Sequence, residues 1–236
     1  MRAVLVANGE LTAHARLKEI WLRANLRIAA DGGARNARVY LRIAPHAVIG
    51  DFDSLDDETR DWLEKSSCEF IRYPPAKDAT DLELALQLAQ TRGADEITIL
   101  GAHGGRADHF LANVLLLTQA RNVRLVDGLS EMWLVGEEGG EGKEGREGKE
   151  GKEGREGREG GEGTEGTEIA GRKGDLVSLI PLDERVDGIV THGLEYPLRG
   201  ETLERGSTRG ISNVMLDRHA TVRATRGALL IVHLFQ

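Results

Sequence analysis

Ala47-Val48-Ile49-Gly50-Asp51-Phe52-Asp53-Ser54 joins a short apolar run to a turn that carries two carboxylates one residue apart. An apolar run this short, closed by a glycine, predicts a buried strand, so the acids sit where the strand ends. Outward in both directions the same unit repeats. Strands are predicted at residues 3–7, 26–30, 69–73, 96–100 and 123–127, with helices at 11–24, 35–40, 56–65, 80–91 and 108–120 between them. Strands alternating with helices imply a parallel sheet covered on both faces. Ligands of such sheets bind outside the carboxyl ends of the strands. Each acidic or glycine-rich motif in this half falls at such an end.

The pattern changes past residue 130. A strand is predicted at 131–136, and then residues 137–168 repeat Gly-Lys-Glu and Gly-Arg-Glu with almost nothing apolar. Glycine at that density opposes helix, and the stretch cannot bury enough surface to offset its ordering entropy. It is expected to be a disordered, solvated insertion, which closes at little entropic cost. Beyond it, short β-type runs at 175–182, 189–190, 194–198, 221–224 and 228–235 are separated by glycines, with no helical period. The predicted fold class is α/β followed by all-β. A parallel-sheet, Rossmann-like domain spans 1–130, and a small antiparallel β-sandwich or barrel spans 131–236, interrupted by the insertion.

The charge is concentrated in that insertion. Residues 137–168 hold twelve Glu against six Lys plus Arg, a net of −6, so of the chain's −8 the other residues carry only −2. No basic face suggests a nucleic-acid footprint. Cys68 is the single cysteine, which excludes a disulfide framework and a thiolate metal cluster. Met1 leads straight into a strand with no secretory apolar segment, and no apolar run approaches the ~20 residues of a membrane span. A soluble cytoplasmic protein, bound to neither membrane nor nucleic acid, is the expectation.

Five motifs carry possible chemistry. Asp51 and Asp53 suit a hard cation with oxygen ligands; Mg²⁺ usually takes one or two carboxylates, keeps waters and completes its shell with substrate phosphates. The pair also reads as an Asp-rich turn before the helix that Asp56 starts. Lys77-Asp78-Ala79-Thr80-Asp81 opens the clearest helix, and capping alone does not call for two acids and a lysine. With Asp51 and Asp53 near, four acids repel unless a cation sits among them. Asp31-Gly32-Gly33 and Gly101-Ala102-His103-Gly104-Gly105-Arg106-Ala107-Asp108-His109 both follow strands and lead into helices. Their glycines either admit phosphate to backbone amides or serve tight turns, and Arg106 can fork onto phosphate oxygens. Asp108 and His109 are open between acid–base work and a capped, packed helix start. In the second half, Gly206-Ser207-Thr208-Arg209-Gly210-Ile211-Ser212-Asn213 can read the edge of a polar heterocycle or simply connect a hairpin.

Taken in order, these motifs, with Gly193-Leu194-Glu195-Tyr196-Pro197-Leu198, resemble the thiamine pyrophosphokinases over the whole chain except the insertion. The resemblance implies an α/β ATP-binding catalytic domain followed by a thiamine-binding β-sandwich, in a homodimer whose sites are shared between subunits. It implies that ATP and thiamine give AMP and thiamine diphosphate. Asp51 and Asp53 would bind Mg²⁺ with Asp78 or Asp81, the other acid or Asp108 acting on the thiamine hydroxyl. Asp31, Gly32, Gly33, Lys77, Gly104, Gly105, Arg106, Asp108 and His109 would surround ATP, and Ser212 and Asn213 would bind the aminopyrimidine from the partner. Two features depart from the family. The chain ends Leu234-Phe235-Gln236 where animal members tend to place a tryptophan, and the insertion is not a family trait. The rival functions are a pyrophosphokinase for another hydroxymethyl heterocycle of pterin type, a non-catalytic thiamine diphosphate sensor, and a phosphatase or nucleotide-sugar transferase with an Asp-x-Asp metal site.

Overall fold

The computed structural model describes residues 1–120, 122–135 and 166–236. The first half contains β1 (Arg2–Val6), α1 (Ala15–Leu22), β2 (Leu26–Ala30), α2 (Gly33–Asn36), β3 (Ala47–Gly50), α3 (Asp57–Lys65), β4 (Glu69–Arg72), α4 (Asp81–Thr91), β5 (Glu96–Leu100), α5 (Ala107–Leu115) and β6 (Val123–Val126). The second half contains β7 (Ser130–Val135), β8 (Thr167–Ala170), β9 (Leu176–Pro181), β10 (Arg185–His192), β11 (Arg199–Glu204), β12 (Asn213–Val214), β13 (His219–Arg223) and β14 (Leu229–Leu234).

The first six strands lie in the order β6-β5-β1-β2-β3-β4, all parallel. Their continuous apolar runs are buried on both faces, as covered parallel strands must be. On one face Leu5, Ile28 and Ile99 pack against Leu82, Ala85, Leu86 and Ala89 of α4. On the other, Val6, Ala29 and Val48 meet Leu17 and Trp21 of α1 and Leu63 of α3. The chain runs outward from β1 to β4, then crosses back to β5 on the other side of β1. That reversal opens a crevice beyond the carboxyl ends of β1 and β5.

The sheet does not stop at β6. β7 pairs antiparallel with β6, and β14, β9 and β12 extend the same sheet to ten strands. A separate antiparallel sheet, β11-β10-β13-β8, covers this extension. Trp133, Val177, Leu179, Val186, Ile189, Val222 and Ile231 fill the space between them. The antiparallel sandwich therefore shares its larger sheet with the nucleotide-fold half.

Several element boundaries differ from expectation. Helix α1 begins only at Ala15, because the Glu10 amide bonds the His103 carbonyl and draws the preceding residues across the β5 loop. The helix expected at 35–40 is four α residues running into a wider π-type turn, Ala37–Leu41. Thr167 and Glu168, assigned to the insertion, pair with Val222 and Thr221 as part of β8; residues 137–165 of that insertion lie outside the described residues. The strand expected at 194–198 is a turn, with Gly193 at φ 74° and a single bridge from Leu194 to Met215. Strand β11 went unseen because Arg199-Gly-Glu-Thr-Leu-Glu is polar, with Leu203 its one buried side chain.

Candidate active site

A cleft of ≈ 430 Å³ lies outside the carboxyl ends of β1, β2, β3 and β5. Its walls are the loops that follow those strands, so each motif reaches it by strand order. The Asp31 amide bonds the Ile49 carbonyl at 2.8 Å, which ties the end of β2 to β3. The Gly9 amide bonds the Gly101 carbonyl at 2.8 Å, tying the β1 loop to the β5 loop.

Asp31, Asp51 and Asp53 converge: one carboxylate oxygen from each lies within 4.8 Å of the others. Asp31 is buried at 7% exposure and holds φ 41°, and its Oδ1 has no hydrogen-bond partner among the described residues. Burial pushes its carboxyl above the usual carboxylate range, and the charges of Asp81 and Asp51 push it further, against the pull of the nearby Ser54 hydroxyl and Gly32 amide. A buried carboxylate oxygen without a donor, beside two more acids, fits a divalent oxygen-liganded cation. Asp53 is oriented from within the turn: its amide bonds Asp51 Oδ1 at 3.2 Å, and Ser54 Oγ donates to its Oδ1 at 3.0 Å. Between the acids, Phe52 takes φ 68° with its ring buried edge-on against Phe70 at 5.5 Å. That anchor turns the residues on either side toward the cleft.

The second acidic motif divides. Thr80 is the N-cap of α4, its Oγ1 accepting the Glu83 amide at 3.2 Å. Asp81 therefore starts the helix facing the cleft, whereas Asp78 is exposed and does not line it. Lys77 reaches no cleft wall; its Nζ bonds Asp81 Oδ1 at 2.5 Å. Gly50, at φ 151°, separates the groups: a Cβ there would stand 3.2 Å from Asp81 Oδ1 and 3.3 Å from Asp31 Oδ1.

The glycine motifs are needed for close approach. Gly32 has φ −56°, so it is not a left-handed turn residue, but a Cβ on it would meet the Asn8 side chain at 2.5 Å. A Cβ on Gly33 would lie 2.1 Å from the Val6 carbonyl oxygen. Gly104 packs on Gly9, whereas Gly105 faces open space in the cleft wall. Arg106 also lines the cleft, its fork resting on Asp108 at 2.6 and 3.2 Å. The Arg106 guanidinium holds the exposed Asp108 carboxyl down to about 2, which makes Asp108 a poor base. His109 lines the cleft and is exposed.

Residues the sequence did not single out complete the walls. Asn8 and Gly9 line the cleft at the end of β1, a position equivalent to Asp31 and Gly32 on β2. Asn36 is buried and donates from Nδ2 to the Ala7 and Gly9 carbonyls at 2.9 and 2.8 Å. Asn113 donates to the Ala102 carbonyl at 2.8 Å. An Asn-Gly at a parallel strand end was the available signal for the first pair; the two buried amides left none.

Ser212 and Asn213 are not in this cleft. Register runs unbroken from Val6 through Leu100, Val126, Glu131, His233 and Val177 to Asn213. Asn213 is therefore level with the carboxyl ends of the parallel strands but six strands away from β1. At ~4.8 Å per strand that is roughly 29 Å along the sheet.

Residues 17–126 match the family model described as thiamin pyrophosphokinase, catalytic domain, and residues 166–229 match thiamin pyrophosphokinase, vitamin B1 binding domain. The chain is 31% identical over 196 residues to a thiamine pyrophosphokinase of Bacillus subtilis, covering 80% of this chain and 78% of that one. Thiamine pyrophosphokinase 1 of Oryza sativa is 32% identical over 144 residues, 52% of this chain and 54% of the rice protein. A crystal structure of the Bacillus subtilis thiamine pyrophosphokinase superposes with a TM-score of 0.80 at 27% identity, covering all of both chains. Among the described residues no helix is long and apolar enough to cross a membrane.

Proposed function

Because the chain belongs to the thiamine pyrophosphokinase family, we propose that it transfers the pyrophosphoryl group of ATP to the hydroxyl of thiamine, giving thiamine diphosphate and AMP. The observation that carries this reading is the convergence of Asp31, Asp51 and Asp53 in a cleft walled by glycine loops and Arg106. Asp31, Asp51 and Asp53 would hold Mg²⁺, whose chemistry when bound is neutralisation of charge on the transferring phosphoryl groups.

The chain's own residues bind and orient. The close-packed β1, β2 and β5 loops give the triphosphate a wall of backbone with few side chains in the way. Arg106, exchanging its exposed contact with Asp108 for phosphate oxygens, grips the transferred group. The thiamine hydroxyl oxygen then bonds to the β-phosphorus, the bond from that phosphorus to the α–β bridging oxygen breaks, and AMP leaves with that oxygen. Asp81 faces the same cleft and is our choice to take the hydroxyl proton, with Lys77 holding it in place.

The acids and Ser212 lie at least six strands apart in one sheet, which supports a homodimer in which Ser212 and its neighbours face the acids of the partner. We assign the protein to the cytoplasm, where ATP and Mg²⁺ are at hand. The test is AMP release measured with Mg²⁺ and ATP, with and without thiamine. Thiamine-dependent AMP, abolished in Asp53→Asn, is the expected result; AMP release indifferent to thiamine would overturn the assignment.

A further inference from the structure

Asn213 does not present its side chain to solvent. It is buried, and its amide grips the backbone of Tyr196 at both ends: Oδ1 accepts the Tyr196 amide at 3.0 Å and Nδ2 donates to the Tyr196 carbonyl at 2.7 Å. The same Oδ1 takes the Val214 amide at 2.9 Å. On either side, the Glu195 amide bonds the Val214 carbonyl and the Leu216 amide bonds the Gly193 carbonyl, both at 2.9 Å. The turn carrying Tyr196 is thus fastened along its length, yet Tyr196 itself is 64% exposed.

Holding a backbone rigid while leaving an aromatic side chain in water gives up entropy without burying apolar surface. One exposed apolar residue would need no explanation. Here, of the three large apolar side chains exposed within residues 166–236, Tyr196 and Leu216 lie on these two fastened segments and Ile211 lies two residues before Asn213. Ser212, exposed at φ 59°, lies between Ile211 and Asn213. Three side chains fall well short of the ~800 Å² per partner that a stable protein interface buries. They are the right size for a flat heterocycle, and the face of a tyrosine ring attracts cations.

Resting on the function proposed above, we propose that Tyr196 is a substrate-contacting residue whose ring stacks on the planar, cationic ring system of thiamine. Asn213 is then a positioning residue: it acts by holding Tyr196 and does not bind the substrate itself. Ile211 forms the adjoining apolar wall.

Steady-state kinetics on the intact protein, varying thiamine and ATP separately, test this. Tyr196→Ala raises KM for thiamine roughly tenfold, the scale of an aromatic and cation–π contact, with kcat and KM for ATP little changed. Tyr196→Phe, which keeps the ring, recovers most of that loss. Asn213→Ala also raises KM for thiamine, and the double variant is no worse than Tyr196→Ala, because Asn213 works only through the ring. An unchanged KM for thiamine in Tyr196→Ala overturns the proposal. So does loss of kcat accompanied by dissociation in sedimentation, which would make this a contact between copies. If the wild-type chain releases no AMP, the enzymatic reading fails; thiamine binding by calorimetry then decides separately. Binding roughly tenfold weaker in Tyr196→Ala upholds the contact, and equal or absent binding overturns it.

Discussion

Asp31 combines burial, a left-handed backbone and an unpartnered carboxylate oxygen within reach of two further acids. An unpaired buried charge is a cost the fold carries for function. Asp31→Asn, nearly isosteric, is expected to stabilise the metal-free protein by about 1 kcal/mol while lowering AMP release by at least ~100-fold. Thermal unfolding in chelator and the thiamine-dependent assay measure the two effects, and a variant both less stable and fully active would refute this account. Cys68 behaves oppositely. It is buried at 9% exposure, and burial pushes its thiol up to about 12. The thiolate is the reactive form, so a disulfide reagent should label Cys68 only as fast as the protein opens. Prompt labelling of the native protein at pH 8 would contradict that.

The helices and strands show what could be read from sequence and what could not. The start of α3 at Asp56 and the strand-end position of Asp51 and Asp53 were legible, because apolar runs and acidic helix starts are local signals. The partnership of Asp31 with those acids was not, because it depends on β2 lying beside β3. The split between Asp78 and Asp81 turns on which residue caps α4, and Thr80 does. The continuation of the parallel sheet through β7, β14 and β9 has no local marker either, since it is a property of pairing. At α3 the Asp56 side chain accepts the Thr59 amide at 2.7 Å. That bond foremost, with the Thr59 hydroxyl and then Arg38 and Arg35, holds the Asp56 carboxyl below its ordinary range. Asp56→Ala is expected to cost about 1 kcal/mol at neutral pH. Because the folded value is the lower one, the cap's contribution is complete above the unfolded value near ~4 and is lost as pH falls through the folded value. Urea unfolding of wild type and Asp56→Ala across pH should therefore give a gap that is constant above pH ~5 and closes in acid. A gap that widens in acid would assign the stabilisation to something other than the ionised cap.

At the scale of the whole molecule, the sheet sets a long distance between the acids and Ser212 within one chain. The acids lie beyond β2 and β3, and Ser212 enters β12 at the opposite edge, both at the level of the carboxyl strand ends. Six strand spacings from β1 amount to roughly 29 Å, far more than the span between a bound triphosphate and the hydroxyl it must meet. A two-fold pair of chains can remove that gap by setting the β12 edge of one copy over the cleft of the other, and symmetry then completes two sites at once. Each site would draw its acids from one copy and Tyr196 and Ser212 from its partner. Two defective variants should consequently complement each other. Asp53→Asn and a Tyr196→Ala, Ser212→Ala double variant, refolded together in equal amounts, form hybrids in which one of two sites is intact. With random pairing, half the dimers are hybrids, so about one quarter of wild-type turnover at low thiamine returns. Each variant refolded alone gives none of that recovery. If the mixture merely averages its two parents while native mass spectrometry shows that hybrids have formed, each site is built within one chain. The roughly 29 Å along the sheet would then have to be closed by a movement of the two halves of the chain.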